Sequence, residues 1–508
     1  MLSTNPKVQE FVSHIKYVVF DEVHSIGASP EAHIWEHLLL LIQCPFLALS
    51  ATIGNAAKLH AWLDNAEQGK TDKKRRVDLI VHHERYSELE LSIMRVAKPQ
   101  PIEANLNDIG DSSSVSSDTI EGDIIEPFMP YGVFMPEKIR MFGIPDDQQL
   151  TARQVLQLYT TMAAVDEKTK EEFEPCRYYG YKMAEPLWLS RAALRKLENG
   201  LKQRLLLWLA EDEQKMRKVL DILAKPIDEQ LQHRAVPFNK VLFQCLSSGS
   251  CGTVRMFPCF VQEKLALDNI VRLVDEMKEK NMLPAMCFND DRNVCESLAL
   301  RLCEELEARE TEFMNSAEFK TKYAIKDEDK YSKIAKRKRD MADKKKGEKN
   351  EEEDEPQEVD DADPFAAQRA RLKQVLAKFR LRGRGGGDQD IYDKMIERMK
   401  KGSKGRESTR TLLRLFERGI GYHHGALNNA EKGAVEVLYR AGHLAIIFTT
   451  STLALGVNMP CKTVLFGVDT PFLTPLLFRQ MSGRAGRRGF DHSGTVCFMS
   501  VPTRQVFF

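Results

Sequence analysis

Tyr17-Val18-Val19-Phe20-Asp21-Glu22-Val23-His24 joins an apolar run to two adjacent carboxylates. Four apolar residues without a polar break read as a short strand. Acids at the carboxyl end of such a strand stand where open α/β sheets bind ligands. A hydrolase acting on a nucleoside triphosphate needs one carboxylate to hold magnesium, commonly through water, and a second to orient and deprotonate the attacking water. Consecutive acids supply both, Asp21 for the metal and Glu22 as the base. Taken singly, a strand ending in Asp-Glu is also an ordinary acidic turn.

The surrounding sequence has the alternation of a parallel sheet covered by helices. Phe46 to Leu49 and Val77 to Val81 read as further strands. Between the first two strands, Ser29 caps a helix that Pro30 opens, and its apolar face is expected to hold Ile34, Leu38, Leu41 and Ile42. From about residue 90 the pattern changes, beginning with a Ser-rich segment, DSSSVSSDTIEGD, that is too poor in apolar residues to fold alone. An amphipathic helical stretch, Leu201 to Leu231, follows without a catalytic constellation. A second α/β rhythm starts near Leu265, where Leu267, Ile270, Val271, Val274 and Met277 keep helical spacing ahead of a strand at Ala285 to Phe288. It is interrupted by a run dense in Lys and Glu, with KRKR at Lys336 to Arg339, an EEEDE block and RGRGGG at Arg382 to Gly387. A solvated linker is the default for such a run; the Gly-rich end also suits RNA contact, and KRKR suits a nuclear signal.

Composition bounds the class. The 508 residues suffice for two or three cores, and 74 Lys+Arg balance 74 Asp+Glu, so any nucleic-acid surface is local. Ten cysteines without a C-x-x-C pair suit free thiols in a reducing, intracellular setting. Cys245, Cys251 and Cys259 are separated by five and seven residues, which matches no compact zinc pattern. No stretch is apolar enough to span a membrane, and the first residues lack the features of a signal peptide.

Three further blocks sharpen the reading. Ser50-Ala51-Thr52 closes the strand after the acidic one, where small hydroxyls link a metal site to a domain interface. Thr450-Ser451-Thr452-Leu453-Ala454-Leu455-Gly456-Val457-Asn458-Met459-Pro460 comes later, followed by Gln480-Met481-Ser482-Gly483-Arg484-Ala485-Gly486-Arg487-Arg488-Gly489. In the last run glycines permit close backbone approach, and the spacing of Arg484 and Arg487 aims both guanidinium groups at one phosphoryl site. In this order the blocks resemble motifs II, III, V and VI of superfamily-two helicases of the Ski-like DExH type. Gly419-Ile420-Gly421-Tyr422-His423-His424-Gly425 is similar to another marker of that class. The middle insertion and the charged interruption are similar to the interferon-induced antiviral branch of the family.

The resemblance implies an α/β fold of two RecA-like parallel-sheet lobes, with the C-terminal half of lobe 1 at 1–90. It places a mainly helical insertion at 91–260, disordered near 104–125. Lobe 2 then occupies 261–508, interrupted by a charged disordered segment at 312–408. It implies ATP and Mg2+ as cofactors, RNA held with low sequence preference as partner, protein partners at the insertion, and a cytoplasmic place of work, or a nuclear one through Lys336 to Arg339. His24 would couple the nucleotide site to motion, and Ser50 and Thr52 would transmit it. Thr450 would touch the RNA backbone, while Gly456 and Asn458 would face the nucleotide. Gln480 would position water and phosphate, with Arg484 and Arg487 as fingers.

Two departures qualify that expectation. In Cys287-Phe288-Asn289-Asp290-Asp291, Asn289 stands where relatives tend to carry Ser, and the acids disfavour an RNA backbone. The phosphate-binding loop, G-x-x-x-x-G-K-[ST], is not found ahead of the acidic strand. Its last three letters recur in Gly69-Lys70-Thr71, but position 64 is Asp64 and the segment follows a helix rather than a strand. The expectation is therefore a helicase motor truncated at both ends and weak or inactive in ATP hydrolysis alone. The alternatives are a noncatalytic RNA-binding or regulatory protein, or a scaffold built on the insertion.

Overall fold

The computed structural model describes residues 10–12, 14–23, 26, 32–50, 55–70, 75–82, 85, 87–96, 122–145, 148–180, 190–234, 257–323, 366–381, 388–403, 405–454, 458–459, 461–468, 473–486, 489 and 491–499. Strands β1 (Val18–Phe20) and β2 (Phe46–Ala48) pair in parallel, Val18 opposite Phe46. Helix α1 (Ala32–Leu41) connects them, and α2 (Ala56–Gln68) follows with Asn55 as its cap, the Asn55 side chain accepting from Lys58 N–H at 2.9 Å. Phe20, Val23, Leu39 and Leu63 form the core of this small unit, with Trp35 and Ile42 packed against it.

Two local expectations are corrected here. The buried face of α1 is centred on Leu39, while Ile34, Leu38 and Leu41 are exposed. Val77 to Val81 is not a strand; Ile80 is 89% exposed, and Val77 bonds to α2 side chains instead of a ladder, its N–H donating to Asp64 Oδ1 at 3.3 Å and its carbonyl lying 2.8 Å from His60 Nε2.

The larger sheet has seven strands in the order β4-β3-β9-β8-β5-β7-β6. They are β3 (Glu88–Met94), β4 (Ile125–Pro127), β5 (Ala285–Phe288), β6 (Ile420–His423), β7 (Ile446–Thr449), β8 (Thr463–Phe466) and β9 (Ser493–Phe498). All neighbours are parallel except β3 and β4. Residues 88–94 thus belong to the large sheet, and the division between the two sheets falls before Glu88 rather than at residue 90.

Between β4 and β5 run α3 (Pro136–Phe142), α4 (Ala152–Val165), α5 (Glu167–Phe173), α6 (Pro175–Tyr178), α7 (Arg191–Glu211), α8 (Glu213–Arg234) and α9 (Phe257–Glu279). Asp212 splits the single helix expected over Leu201 to Leu231. Leu201, Leu205, Trp208 and Leu223 are buried in the same continuous core as Leu91, Ile93 and Phe498, so the insertion is packed onto the sheet and not a separate body. Buried Glu198 pins α7 to the segment ahead of α4, accepting from Leu150 N–H at 3.1 Å while pairing with Arg195 and Lys202.

The charged interruption is partly folded. After α10 (Arg292–Asn315) come α11 (Ala317–Lys322), α12 (Ala366–Leu376) and α13 (Gln389–Ser403). In α13, Tyr392, Met395, Ile396 and Met399 form an apolar stripe that joins the core, with Met399 fully buried. Helices α14 (Glu407–Glu417), α15 (Asn429–Arg440) and α16 (Pro475–Ser482) complete the unit. Gly419 is indispensable at the entry to β6, since its φ is +77° and a Cβ would stand 1.5 Å from the Leu381 carbonyl oxygen. The segment Lys336 to Arg339, the Gly-rich run at 382–387, most of the Ser-rich segment and Cys245 and Cys251 lie outside the described residues.

Candidate active site

The two acids are held at the open end of the small sheet. Leu49 N–H donates to the Phe20 carbonyl at 2.8 Å and Val23 N–H to the Leu49 carbonyl at 2.9 Å, which locks the carboxyl ends of β1 and β2 side by side. Asp21 is exposed and accepts the Glu22 N–H through Oδ1 at 2.9 Å. Glu22 has φ +53°, a left-handed conformation uncommon for a non-glycine residue and concentrated at functional sites. Ser50 lies two residues past β2, while His24 and Thr52 lie outside the described residues. An exposed carboxylate at a strand end fits Mg2+, which binds one or two carboxylates and takes its other ligands from water and phosphate. Among the described residues no cluster of three or more His, Cys, Asp or Glu side chains is arranged for a metal.

The arginine turn is built on the large unit. Thr474 caps α16, its Oγ1 accepting from Leu477 N–H at 3.2 Å, and the helix ends at Gly483. Arg484 N–H donates to Met481 O and Ala485 N–H to Ser482 O, each at 3.0 Å, while Gly486 N–H donates to Cys461 O at 2.9 Å. The Arg484 guanidinium donates from Nη2 to the Ala454 carbonyl at 2.9 Å, tying this turn to the segment after β7. Burial lowers the Arg484 pKa from its ordinary value, and Cys461 and the Glu22 carboxylate act against that shift. Glu22 and Arg484 are carried on different sheets. Gln480 is half-buried one turn earlier, Asn458 is exposed, and Gly456 and Arg487 lie outside the described residues.

Thr450 sits past the end of β7, its N–H bonded to the His423 carbonyl at 3.2 Å and its Oγ1 3.3 Å from Thr452 Oγ1. Behind it, His423 Nδ1 lies 2.9 Å from Thr452 Oγ1 and Nε2 lies 3.2 Å from Glu436 Oε1. His424 stacks on Tyr422 with rings 5.3 Å apart and meets Glu296 at 2.8 Å. The sequence marks the histidine pair as a family feature without giving it a role; here His423 braces Thr450, while His424 is turned to Glu296 and Tyr422.

Two sequence features find structural uses instead. Lys70 Nζ donates to the carbonyls of Ile42 at 2.7 Å and Leu39 at 3.2 Å and pairs with buried Glu67, while Gly69 caps α2. That lysine staples α1 to α2 and is not placed as a phosphate ligand. Buried Asn289 accepts the Val468 N–H at 3.1 Å, and a Cβ at Gly467 would stand 2.0 Å from its Oδ1, so its amide ties β5 to the end of β8.

The helicase conserved C-terminal domain matches residues 391–489, from α13 through the arginine turn. Over 507 residues the chain is 60% identical to an uncharacterized helicase of Caenorhabditis elegans, an alignment covering 100% of this chain and 28% of that protein. It is 30% identical over 518 residues to a human protein named probable ATP-dependent RNA helicase DDX60-like, covering 99% of this chain and 28% of that one. A 117-residue stretch is 41% identical to the antiviral helicase SKI2 of Saccharomyces cerevisiae, covering 22% of this chain and 9% of the yeast protein. The chain is similar to helicases, those of the Ski-like group of superfamily two among them. Its similarity to the DDX60-like relative runs over nearly its whole length, and it spans 28% of the length of that protein and of the Caenorhabditis elegans helicase. The parallel sheet and its helical cover agree with the RecA-like fold of the group. Among the described residues no helix is long and apolar enough to cross a membrane.

Proposed function

We propose that this chain carries the water-activating and phosphate-stabilising halves of an ATP-dependent RNA helicase site, as the name of the human relative says of that protein. The observation that carries the reading is geometric: Asp21 and Glu22 stand at the locked carboxyl ends of β1 and β2, while Arg484 is fixed in the turn after α16 by its bond to the Ala454 carbonyl. A base on one face and a guanidinium on the other are what in-line attack on a phosphoryl group requires. Magnesium, when bound, supplies charge neutralisation on the phosphate oxygens. Asp21 would hold it through water, Glu22 would accept the proton of the attacking water, and Arg484 with Arg487 would meet the charge that develops on the phosphoryl group. Thr450, braced by His423 through Thr452, would bind an RNA phosphate.

Contacts of this kind read backbone rather than sequence. RNA affinity is then expected to fall at least about a hundredfold between about 50 mM and about 200 mM salt. RNA-stimulated phosphate release, measured beside that salt titration, tests the reading. Salt-sensitive RNA binding without any release would leave a noncatalytic RNA-binding role, a reading favoured by the structural use of Lys70. The proposal extends to a cytoplasmic role in antiviral defence, the property named in the yeast relative, with the insertion as the place for protein partners.

A further inference from the structure

The segment joining the two sheets touches the arginine turn through residues that have no part in the roles above. Arg85, half-buried, donates from Nη2 to the Ala485 carbonyl at 3.2 Å. Ser87, buried, donates from Oγ to the Gly486 carbonyl at 3.3 Å. These two carbonyls immediately follow Arg484. Gly486 has φ +83°, and a Cβ there would stand 2.3 Å from Ser87 Oγ, so glycine is what lets the hydroxyl approach. On its other side Arg85 is itself held, since Arg191 Nη1 donates to the Arg85 carbonyl at 3.2 Å. Arg191 is the first residue of α7, the helix capped by Ser190, whose side chain accepts from Ala193 N–H at 3.2 Å. A run of bonds therefore leads from the insertion to the turn, through Arg191, Arg85 and Ala485 to Arg484.

The turn has need of it. Besides its two short i to i+3 contacts it is held on one side by a bridge to Cys461, whose N–H donates to Arg484 O at 3.0 Å and whose carbonyl accepts from Gly486 N–H at 2.9 Å, and Arg85 and Ser87 meet the carbonyls that follow. Groups that stabilise a transition state must stay within roughly 0.5 Å of productive geometry, and a misplacement of about 1 Å costs about a hundredfold in rate. Arginine suits the task because its rigid planar fork carries several donors and keeps its charge when partly buried. Burial does lower the Arg85 pKa from its ordinary value.

We propose that Arg85 is a positioning residue for Arg484, and that the helical insertion biases the arginine turn through Arg191. This rests on the phosphate-stabilising role given to Arg484 above, so its test includes a readout that does not depend on catalysis. In the full chain, amide hydrogen exchange at Arg484, Ala485 and Gly486 is compared for wild type, Arg85→Ala, Arg85→Lys, Ser87→Ala and Arg191→Ala. Loss of the Arg85 bond is expected to speed exchange of those amides about tenfold, with a smaller rise, about threefold, for Ser87→Ala and Arg191→Ala. Exchange in β9 should be unaltered, and Arg85→Lys should restore most of the protection. In RNA-stimulated phosphate release, Arg85→Ala should lower kcat by about tenfold or more while the KM for ATP changes less than about twofold, with Arg85→Lys recovering most of the rate. Unchanged exchange in Arg85→Ala and Ser87→Ala overturns the brace. Unchanged kcat where exchange has risen overturns the positioning role. Should Arg85→Ala not fold, Ser87→Ala and Arg191→Ala decide the matter by the same exchange measurement. Absence of release in wild type removes the reading under Proposed function, and the exchange arms then judge the brace by themselves.

Discussion

The small unit and the large one hold the two halves of the site on very different foundations. The acids stand on two strands of three residues each, over a core of Phe20, Val23, Leu39 and Leu63, with Val19 and Leu47 56% and 43% exposed. Arg484 stands on a seven-stranded sheet whose β5, β6, β7 and β8 are buried at every residue. Buried area rises with size, so the second scaffold resists distortion far more than the first. The proposed chemistry is thus divided between a stiff partner and a soft one, and on the proposal above their registration rests on the segment between them.

The comparison can be broken most decisively at the arginine side. Arg484→Ala in a full-length relative is expected to lower ATP turnover about a thousandfold or more with little change in RNA affinity, because a finger acts on charge that develops in the transition state. Near-normal turnover in steady-state phosphate release would remove the assignment. On the acid side, Glu22→Gln keeps size and shape but cannot accept a proton, and turnover should fall about a hundredfold to ten-thousandfold with ATP and RNA binding intact. Persistent hydrolysis would show that another group is the base.

Stability separates the units themselves. Gly419→Ala must displace the Leu381 carbonyl and adopt a left-handed φ, at a cost of at least about 2 kcal/mol. In urea unfolding followed by exchange, the large unit should melt earlier while the β1–β2 unit keeps its midpoint; a common shift of both would show that they unfold as one body. The smallest effect is on pH. Burial holds the His423 imidazole below its ordinary range, opposed by the hydrogen bond and charge of Glu436, with Lys432 and His424 adding to the burial effect. The unfolded chain takes up this proton near about pH 6.5 while the folded one resists it. Stability from this residue is present above that pH and is lost as pH falls from there through the lower folded pKa. His423→Gln should flatten the dependence of the large unit's urea midpoint between about pH 7.5 and about pH 5; an unchanged slope assigns it to other groups.

The sequence was most readable where local chemistry and burial coincide. Strands expected at Tyr17 to Phe20, Phe46 to Leu49 and Ala285 to Phe288 are found at 18–20, 46–48 and 285–288, because uninterrupted apolar runs in parallel sheets have few other uses. The face of α1 was misread because the helix is apolar nearly all round, and only tertiary contact selects Leu39. In α13 the apolar stripe was present but hidden among charges that suggested disorder. Asp21, Glu22 and Arg484 were legible as motifs. Arg85 and Glu436 were not, since each acts through a partner distant in sequence and no local spacing announces such a pairing. Arg487, Gly456, His24 and Thr52 fall outside the described residues.

The pairing of β3 with β9 has a consequence for biogenesis. Arg85 and Ala485 are 400 residues apart along the chain, and Glu88 lies opposite Ser493. A ribosome adding about 5–20 residues per second emits β3 tens of seconds before the strand that will cover its flank exists. Until then β3 has only the short β4 to close one side, and its other edge is an open template for neighbouring chains. So non-local a closure makes for slow assembly. The nascent protein should depend on chaperones that shield strand edges, and translation halted ahead of β9 should leave a product that aggregates although most of its helices are already made.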